Sequence, residues 1–296
     1  MWIFIALGSS LFYGFSNVLD NYLTNRLFKS IWILVFFGFC INLVFLPLTY
    51  FIAAPQLPPL RLVPFILCIG FLEVVYLFPY YKALQEDDTS VVSSLFSFGR
   101  IFLPVFAFFI LGEVLRPDQY LGFFLIILSG GLLTLKDFRH LHLNRSFFYM
   151  LVVSFILSLD SVLYKHVLNE ASWRTTYIWV ILSSFFFSAC FLIHPKIRKG
   201  FRLQLQASKQ SFGFLALEEF MNFGGSVAAT YTLSLVPVTL ARSIGAIFPF
   251  IILFYAVVLQ KFFPKFFHEN IDKGTIAKKI ILFSIVLAGV FLVVRT

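Results

Sequence analysis

Apolar runs of about 20 residues, each closed by a cluster of charge, proline or asparagine, recur along this chain and constrain its fold more than any other feature. About 20 residues of α-helix cross a hydrocarbon core of roughly 30 Å. Backbone amides in lipid must also be satisfied within their own segment, which favours helices. Composition closes the water-soluble route: 60% of residues are hydrophobic and 12% charged, with a mean hydropathy of +0.92, whereas soluble domains average about 25% charged. A β-barrel would need short alternating strands, and stretches such as Phe102–Leu111 are continuously apolar. The sequence therefore predicts an all-α integral membrane protein.

The apolar runs predict about ten spans, near residues 2–23, 31–53, 62–81, 91–111, 120–135, 146–163, 177–193, 212–235, 240–259 and 277–294. The longest polar connections, 196–211 and 261–276, fall short of the roughly 50 residues a separate domain needs. Met1 is followed directly by an apolar run without a basic leader or a small-residue cleavage site, so this first stretch is expected to stay in the mature protein. Cys40, Cys68 and Cys190 stand singly in apolar surroundings and read as lipid-facing or packing residues. The net charge of +9 comes from Lys and Arg concentrated between the spans. Topology control and contact with anionic membrane lipids explain this distribution better than nucleic-acid binding.

The two halves resemble each other at a spacing of roughly 145 residues. Phe15-Ser-Asn-Val-Leu19 lies over Leu159-Asp-Ser-Val-Leu163, and Pro104 lies over Pro249. With an odd number of spans per half, the halves must enter the membrane in opposite senses, forming two inverted five-helix repeats over 1–140 and 145–296. Roughly sixteen basic residues fall in or beside odd-numbered loops, including Arg26, Lys29, Lys82 and the 196–209 cluster. Arg61, Arg116, Lys165, Arg174, Arg242 and Arg295 fall on the even side, so the charge bias places odd loops in the cytoplasm and both termini outside.

An ionisable side chain at bilayer depth costs several kcal/mol, roughly, and by default faces a protein interior or a water-filled cavity. The first, third, fourth, sixth, eighth and ninth spans carry such groups and are expected to line a central cavity. Glu73, Tyr76 and Tyr80 share one face of the third span, and Tyr13 and Asn17 share one face of the first. Ser97 and Arg100 lie on one stripe of the fourth, above Pro104. Asp160 precedes Tyr164 by one turn in the sixth, and Glu219, Asn222 and Ser226 align in the eighth, with Tyr231 beyond them. Asp20 is assigned to the membrane interface, where a carboxylate is cheap. Asparagine and serine also join helices by hydrogen bonds alone, and the tyrosines equally suit an interfacial belt. No P-loop, HExxH, GxSxG elbow or metal-ligand cluster occurs, so neither an enzyme nor a cofactor is expected. Glu86-Asp87-Asp88 reads as a solvated turn.

Tyr81-Lys-Ala-Leu84, Val91-Val-Ser-Ser-Leu95, Pro104, Leu111-Gly-Glu113, Gln119-Tyr-Leu-Gly122 and the Gly130-Gly131 pair follow one another in an order and spacing that carry a family resemblance. The second half echoes them in Tyr231-Thr-Leu-Ser-Leu-Val-Pro237, Pro249 and Ala288-Gly289, but has no Gly-Glu pair after its fourth span. The chain resembles a ten-helix EamA-type member of the drug/metabolite transporter superfamily. The resemblance implies transport of small organic solutes through a cavity between the same six spans, and both termini in the cytoplasm, opposite to the charge bias.

The expectation is a secondary transporter in the bacterial inner membrane, moving a small amphipathic or zwitterionic, amino-acid-like metabolite by alternating access. Arg100 would meet the anionic end, while Glu73 or Asp160 would meet an amine or exchange a coupled proton. Tyr76, Tyr80, Tyr164 and Tyr231 would contact the apolar body. The rival readings are a multidrug exporter, a membrane-embedded enzyme and a non-transporting subunit.

Overall fold

The computed structural model describes residues 1–50, 56–87, 89–96, 99–114, 116–134, 145–207 and 209–262, with a few positions between 281 and 292. Among them, regular structure is entirely helical. The first half contains α1 (Trp2–Tyr22), α2 (Ile31–Tyr50), α3 (Val63–Val75), α4 (Leu77–Glu86), α5 (Thr89–Leu95), α6 (Gly99–Phe106) and α7 (Pro117–Thr134). The second contains α8 (Arg145–Leu168), α9 (Trp173–Ala189), α10 (Pro195–Ala207), α11 (Lys209–Leu235), α12 (Val238–Ser243) and α13 (Phe248–Phe262).

Among the described residues, five helical stretches are long and apolar enough to cross a membrane: Trp2–Leu27, Ile31–Thr49, Leu60–Glu86, Arg145–Leu168 and Trp173–Ile193. The expected spans at 91–111, 120–135, 212–235 and 240–259 fall on α5 to α7 and α11 to α13, and most of 277–294 lies outside the described residues. The outward faces carry exposed Phe4, Phe109, Phe148, Phe186 and Phe254. The interior holds buried Asp20, Asp160, Glu218 and Glu219. This inversion of the soluble pattern is what lipid as the outer solvent requires.

Proline positions explain where the helices break. Pro79 has no N–H to give the carbonyl of Val75, and the chain loosens at Tyr76 between α3 and α4. Pro249 likewise gives nothing to the carbonyl of Gly245, and a 3-10 turn over Ile244–Ile247 separates α12 from α13. Both breaks fall where the helices pass the central cavity.

Polar contacts join the halves at both ends of the bundle. At one end Gln204 Nε2 donates to the Leu27 carbonyl, and Ser146 Oγ to Asp87. At the other, Arg61 pairs with Glu170 at 2.9 Å, and Trp179 Nε1 donates to the Gln56 carbonyl. The same end carries a contact that accounts for the Leu111-Gly-Glu113 motif. Gly112 has φ +68°, a left-handed conformation that favours glycine, and it terminates the helical run after α6. Glu113 is thereby turned toward α12, where it accepts from the Val238 N–H at 2.9 Å, the Thr239 N–H at 3.5 Å and Thr239 Oγ1 at 3.1 Å. Pro237, at the N-cap of α12, makes no side-chain cap of its own. A carboxylate from the first half thus caps a helix of the second.

Candidate functional site

A cavity of about 330 Å³ lies at the centre of the bundle. Its wall along α1 runs from Ala6 to Asp20, and along α11 from Glu218 to Leu233. At 1.5 Å per residue, each of these is about 20 Å of helix axis, so the cavity is elongated along the helices. Such a volume suits a small organic molecule.

The polar groups divide into two clusters. Toward the end where α1 finishes and α11 begins, Tyr80 Oη donates to Asp20 Oδ2 at 2.9 Å and Tyr81 Oη to Asp20 Oδ1 at 3.2 Å. Ser16 Oγ donates to Glu218 Oε1 at 2.6 Å, and Asn42 Nδ2 to Glu219 Oε2 at 3.0 Å. Asn222 Nδ2 reaches the same Glu219 oxygen at 3.3 Å, one helical turn away on α11. Each carboxylate is therefore held by neutral donors from a second element, the arrangement a buried acid requires.

The second cluster lies toward the start of α12. Arg242, Glu73, Asp160 and Tyr13 all line the cavity. Glu73 Oε2 accepts from Ser184 Oγ at 2.8 Å, while Tyr13 Oη and Ser226 Oγ share a hydrogen bond of 2.9 Å. Buried Asp160 Oδ1, Arg242 Nε and Tyr177 Oη have no hydrogen-bond partner among the described residues. An acceptor, a fixed cation and a hydroxyl lining one cavity can serve the two ends of a zwitterion. Among the described residues, no group of three or more His, Cys, Asp or Glu is placed to hold a metal ion.

Of the residues singled out from sequence, Tyr13, Asn17, Glu73, Tyr76, Tyr80, Asp160, Tyr164, Glu219, Asn222 and Ser226 border this cavity. Tyr231 does not; its ring packs edge-on against Trp173 at 5.5 Å. Ser97 and the side chain of Arg100 lie outside the described residues. Asp20 departs from its assignment to the interface: it is 6% exposed and held by two tyrosines of α4. The wall also extends beyond the six expected spans, since α2 contributes Phe39 and Asn42 and α9 contributes Tyr177 and Ile181. Their helices are apolar overall, and a lone Asn or Tyr among them gave little signal.

Arg242 is the functional candidate that sequence reasoning missed. Its place at the start of the ninth span assigned it to the even-side flank, but α12 begins at Val238 and brings it to the cavity wall. At the spacing of roughly 145 residues expected between the two halves, Arg242 would fall opposite Ser97, a correspondence that could have drawn attention to it.

Residues 1–135 match the model of the EamA-like transporter family. A sequence search of curated proteins finds no match. Among solved structures, 28 chains match. One crystal structure of a protein shares the fold over 99% of this chain and 96% of its own, with a TM-score of 0.66 and 13% identity.

Proposed function

We propose that this chain, an EamA-type transporter of the drug/metabolite transporter superfamily, carries a small amphipathic or zwitterionic, amino-acid-like metabolite across the membrane. The observation that carries this reading is that Arg242, Glu73 and Asp160 line one cavity, together with Tyr13, Tyr76 and Tyr164. Arg242 takes the place first given to Arg100 and receives the carboxylate of the solute. Asp160 or Glu73 receives its amine, and the tyrosine rings contact its apolar body. Transport proceeds by alternating access between two inverted halves, 1–140 and 145–296, in the bacterial inner membrane. Protons are the coupling ion in this reading, carried by Glu73 and Asp160.

A thermal-shift screen of the purified chain tests the substrate class, because a ligand that prefers the folded state raises its melting point. The panel comprises amino acids, their amine-only and acid-only analogues, and lipophilic cations. Stabilisation by a zwitterion that both truncated analogues fail to reproduce supports the proposal. A response to amines regardless of the carboxylate removes it. The excess of carboxylates over guanidinium in the cavity wall favours one second reading, an exporter of amphipathic cations. Stabilisation by unrelated lipophilic cations would select it. For coupling, the joint Glu73→Gln and Asp160→Asn variant should lose pH-gradient-driven uptake of the solute into liposomes; retained uptake eliminates those carboxylates as proton carriers.

A further inference from the structure

The helix α10 joins the end of α9 to the start of α11 and takes no part in the cavity. It is amphipathic by position. Ile197, Phe201 and Gln204, spaced i, i+4 and i+7, turn inward. Phe201 stacks on Phe37 with centroids 4.7 Å apart and meets Phe36 edge-on at 5.3 Å. Gln204 bonds the Leu27 carbonyl, and a Cβ on Gly200 would sit 2.7 Å from Ile33 Cδ1, so the glycine lets α10 lie close on α2. Lys196, Lys199 and Arg202, spaced i, i+3 and i+6, are exposed, as is the apolar Leu203 beside them.

Among the described residues these cations form no ion pair. No acidic residue occurs between Pro195 and Ser211. The ion pairs among the described residues are Arg61 with Glu170 and Arg116 with Asp118, both remote in sequence from α10. Arg198 is occupied differently, donating to the Leu192 and Ile193 carbonyls. The same end of the bundle adds exposed Arg26, Lys29, Lys82 and Arg145. Ile193, where the apolar span ends, is 75% exposed immediately before α10. A cationic stripe that starts where a lipid-facing span stops lies at headgroup depth.

We infer that α10 is a binding surface for anionic phospholipid, with Lys196, Lys199 and Arg202 engaging the phosphate groups of the adjoining leaflet. Leu203 and Ile193 enter the acyl boundary beside them. The end carrying α10 then faces the cytoplasmic leaflet, in line with the charge bias of the loops and opposite to the orientation that the family resemblance implies. Because Phe201 ties α10 to α2, and α11 follows immediately, the lipid contact also steadies the helices that hold Asn42, Glu218 and Glu219.

The test uses the full chain in a neutral detergent, titrated with phosphatidylglycerol or phosphatidylcholine while the melting point is followed. Phosphatidylglycerol should stabilise at lower concentration than phosphatidylcholine. The Lys196→Gln, Lys199→Gln, Arg202→Gln variant should weaken the phosphatidylglycerol response by about fivefold per cation removed and leave the phosphatidylcholine response in place. Lys196→Arg with Lys199→Arg should preserve it. Should the glutamine variant fold poorly, the unmodified chain in about 1 M salt, where charges are screened within roughly 3 Å, should lose the preference. A preference for phosphatidylglycerol that survives both the substitutions and the salt overturns the inference. So does equal stabilisation by inorganic phosphate, because it removes the lipid from the recognition.

Discussion

Replacing Glu113 by alanine deletes one carboxylate and three contacts. It accepts from Val238 N–H at 2.9 Å and Thr239 Oγ1 at 3.1 Å, with a weaker contact to Thr239 N–H at 3.5 Å. Val238 is fully buried and Thr239 nearly so, and water offers these donors little replacement. Loss of a helix cap costs about 0.5–2 kcal/mol, and an orphaned donor of a charge-assisted bond about 1.5–3 kcal/mol. The two descriptions overlap, so the expected loss is about 2–3 kcal/mol rather than their sum. At about 2–4 °C per kcal/mol for a chain near this size, the melting point should fall by about 4–12 °C. Glu113→Gln keeps one acceptor for Val238 and should recover roughly half. Glu86→Ala removes an exposed carboxylate at the opposite end and should stay within about 0.5 kcal/mol of the parent. Thermal unfolding in detergent, followed by tryptophan fluorescence, reads all three. A Glu113→Ala protein that melts like the Glu86→Ala control would refute the reasoning, since Glu113 would then not support α12.

Three further outcomes follow from the same geometry. Arg242→Ala should weaken binding of a zwitterionic ligand about 30-fold or more by titration calorimetry, with Arg242→Lys intermediate because it lacks the planar fork. Unchanged affinity in the alanine variant separates Arg242 from ligand recognition. Tyr80→Phe should cost about 1–3 kcal/mol by leaving Asp20 Oδ2 without its donor, and Tyr81→Phe less because its bond is longer, at 3.2 Å. If adding Asp20→Asn does not change the cost of Tyr80→Phe, the two side chains are not coupled. Gly112→Ala, forced to φ +68°, should lose about 1–2 kcal/mol in the same melting assay. An alanine variant as stable as the parent would show that the turn does not need the left-handed conformation.

The helical membrane fold was legible because it rests on a local property. A run such as 31–49 is apolar throughout, and lipid permits such a segment little besides a helix. Polar residues at i, i+3 and i+7 on one helix also belong to a single face in any tertiary context, which is why Glu73, Tyr76 and Tyr80 could be grouped from spacing alone. Leu111-Gly-Glu113 was recognisable as a motif, yet its partner at Val238 is more than a hundred residues away, and no local pattern encodes that contact.

Asp20 shows the limit from the other direction. Near the end of its helix it has the local signature of an interfacial acid, and only two tyrosines brought by α4 make burial affordable. Arg242 reaches the cavity wall because its helix starts earlier than the apolar run suggests, and Asn42 and Tyr177 join the wall from helices whose composition gives no hint of it. The sequence by itself determined that the chain is helical, that it is apolar enough for lipid, and which polar residues share a helix face, since these depend on solvation and helical period. Tertiary structure alone decided which polar faces meet, because a buried charge is stabilised by whatever donor packing delivers to it, and packing is a property of helices far apart in the chain.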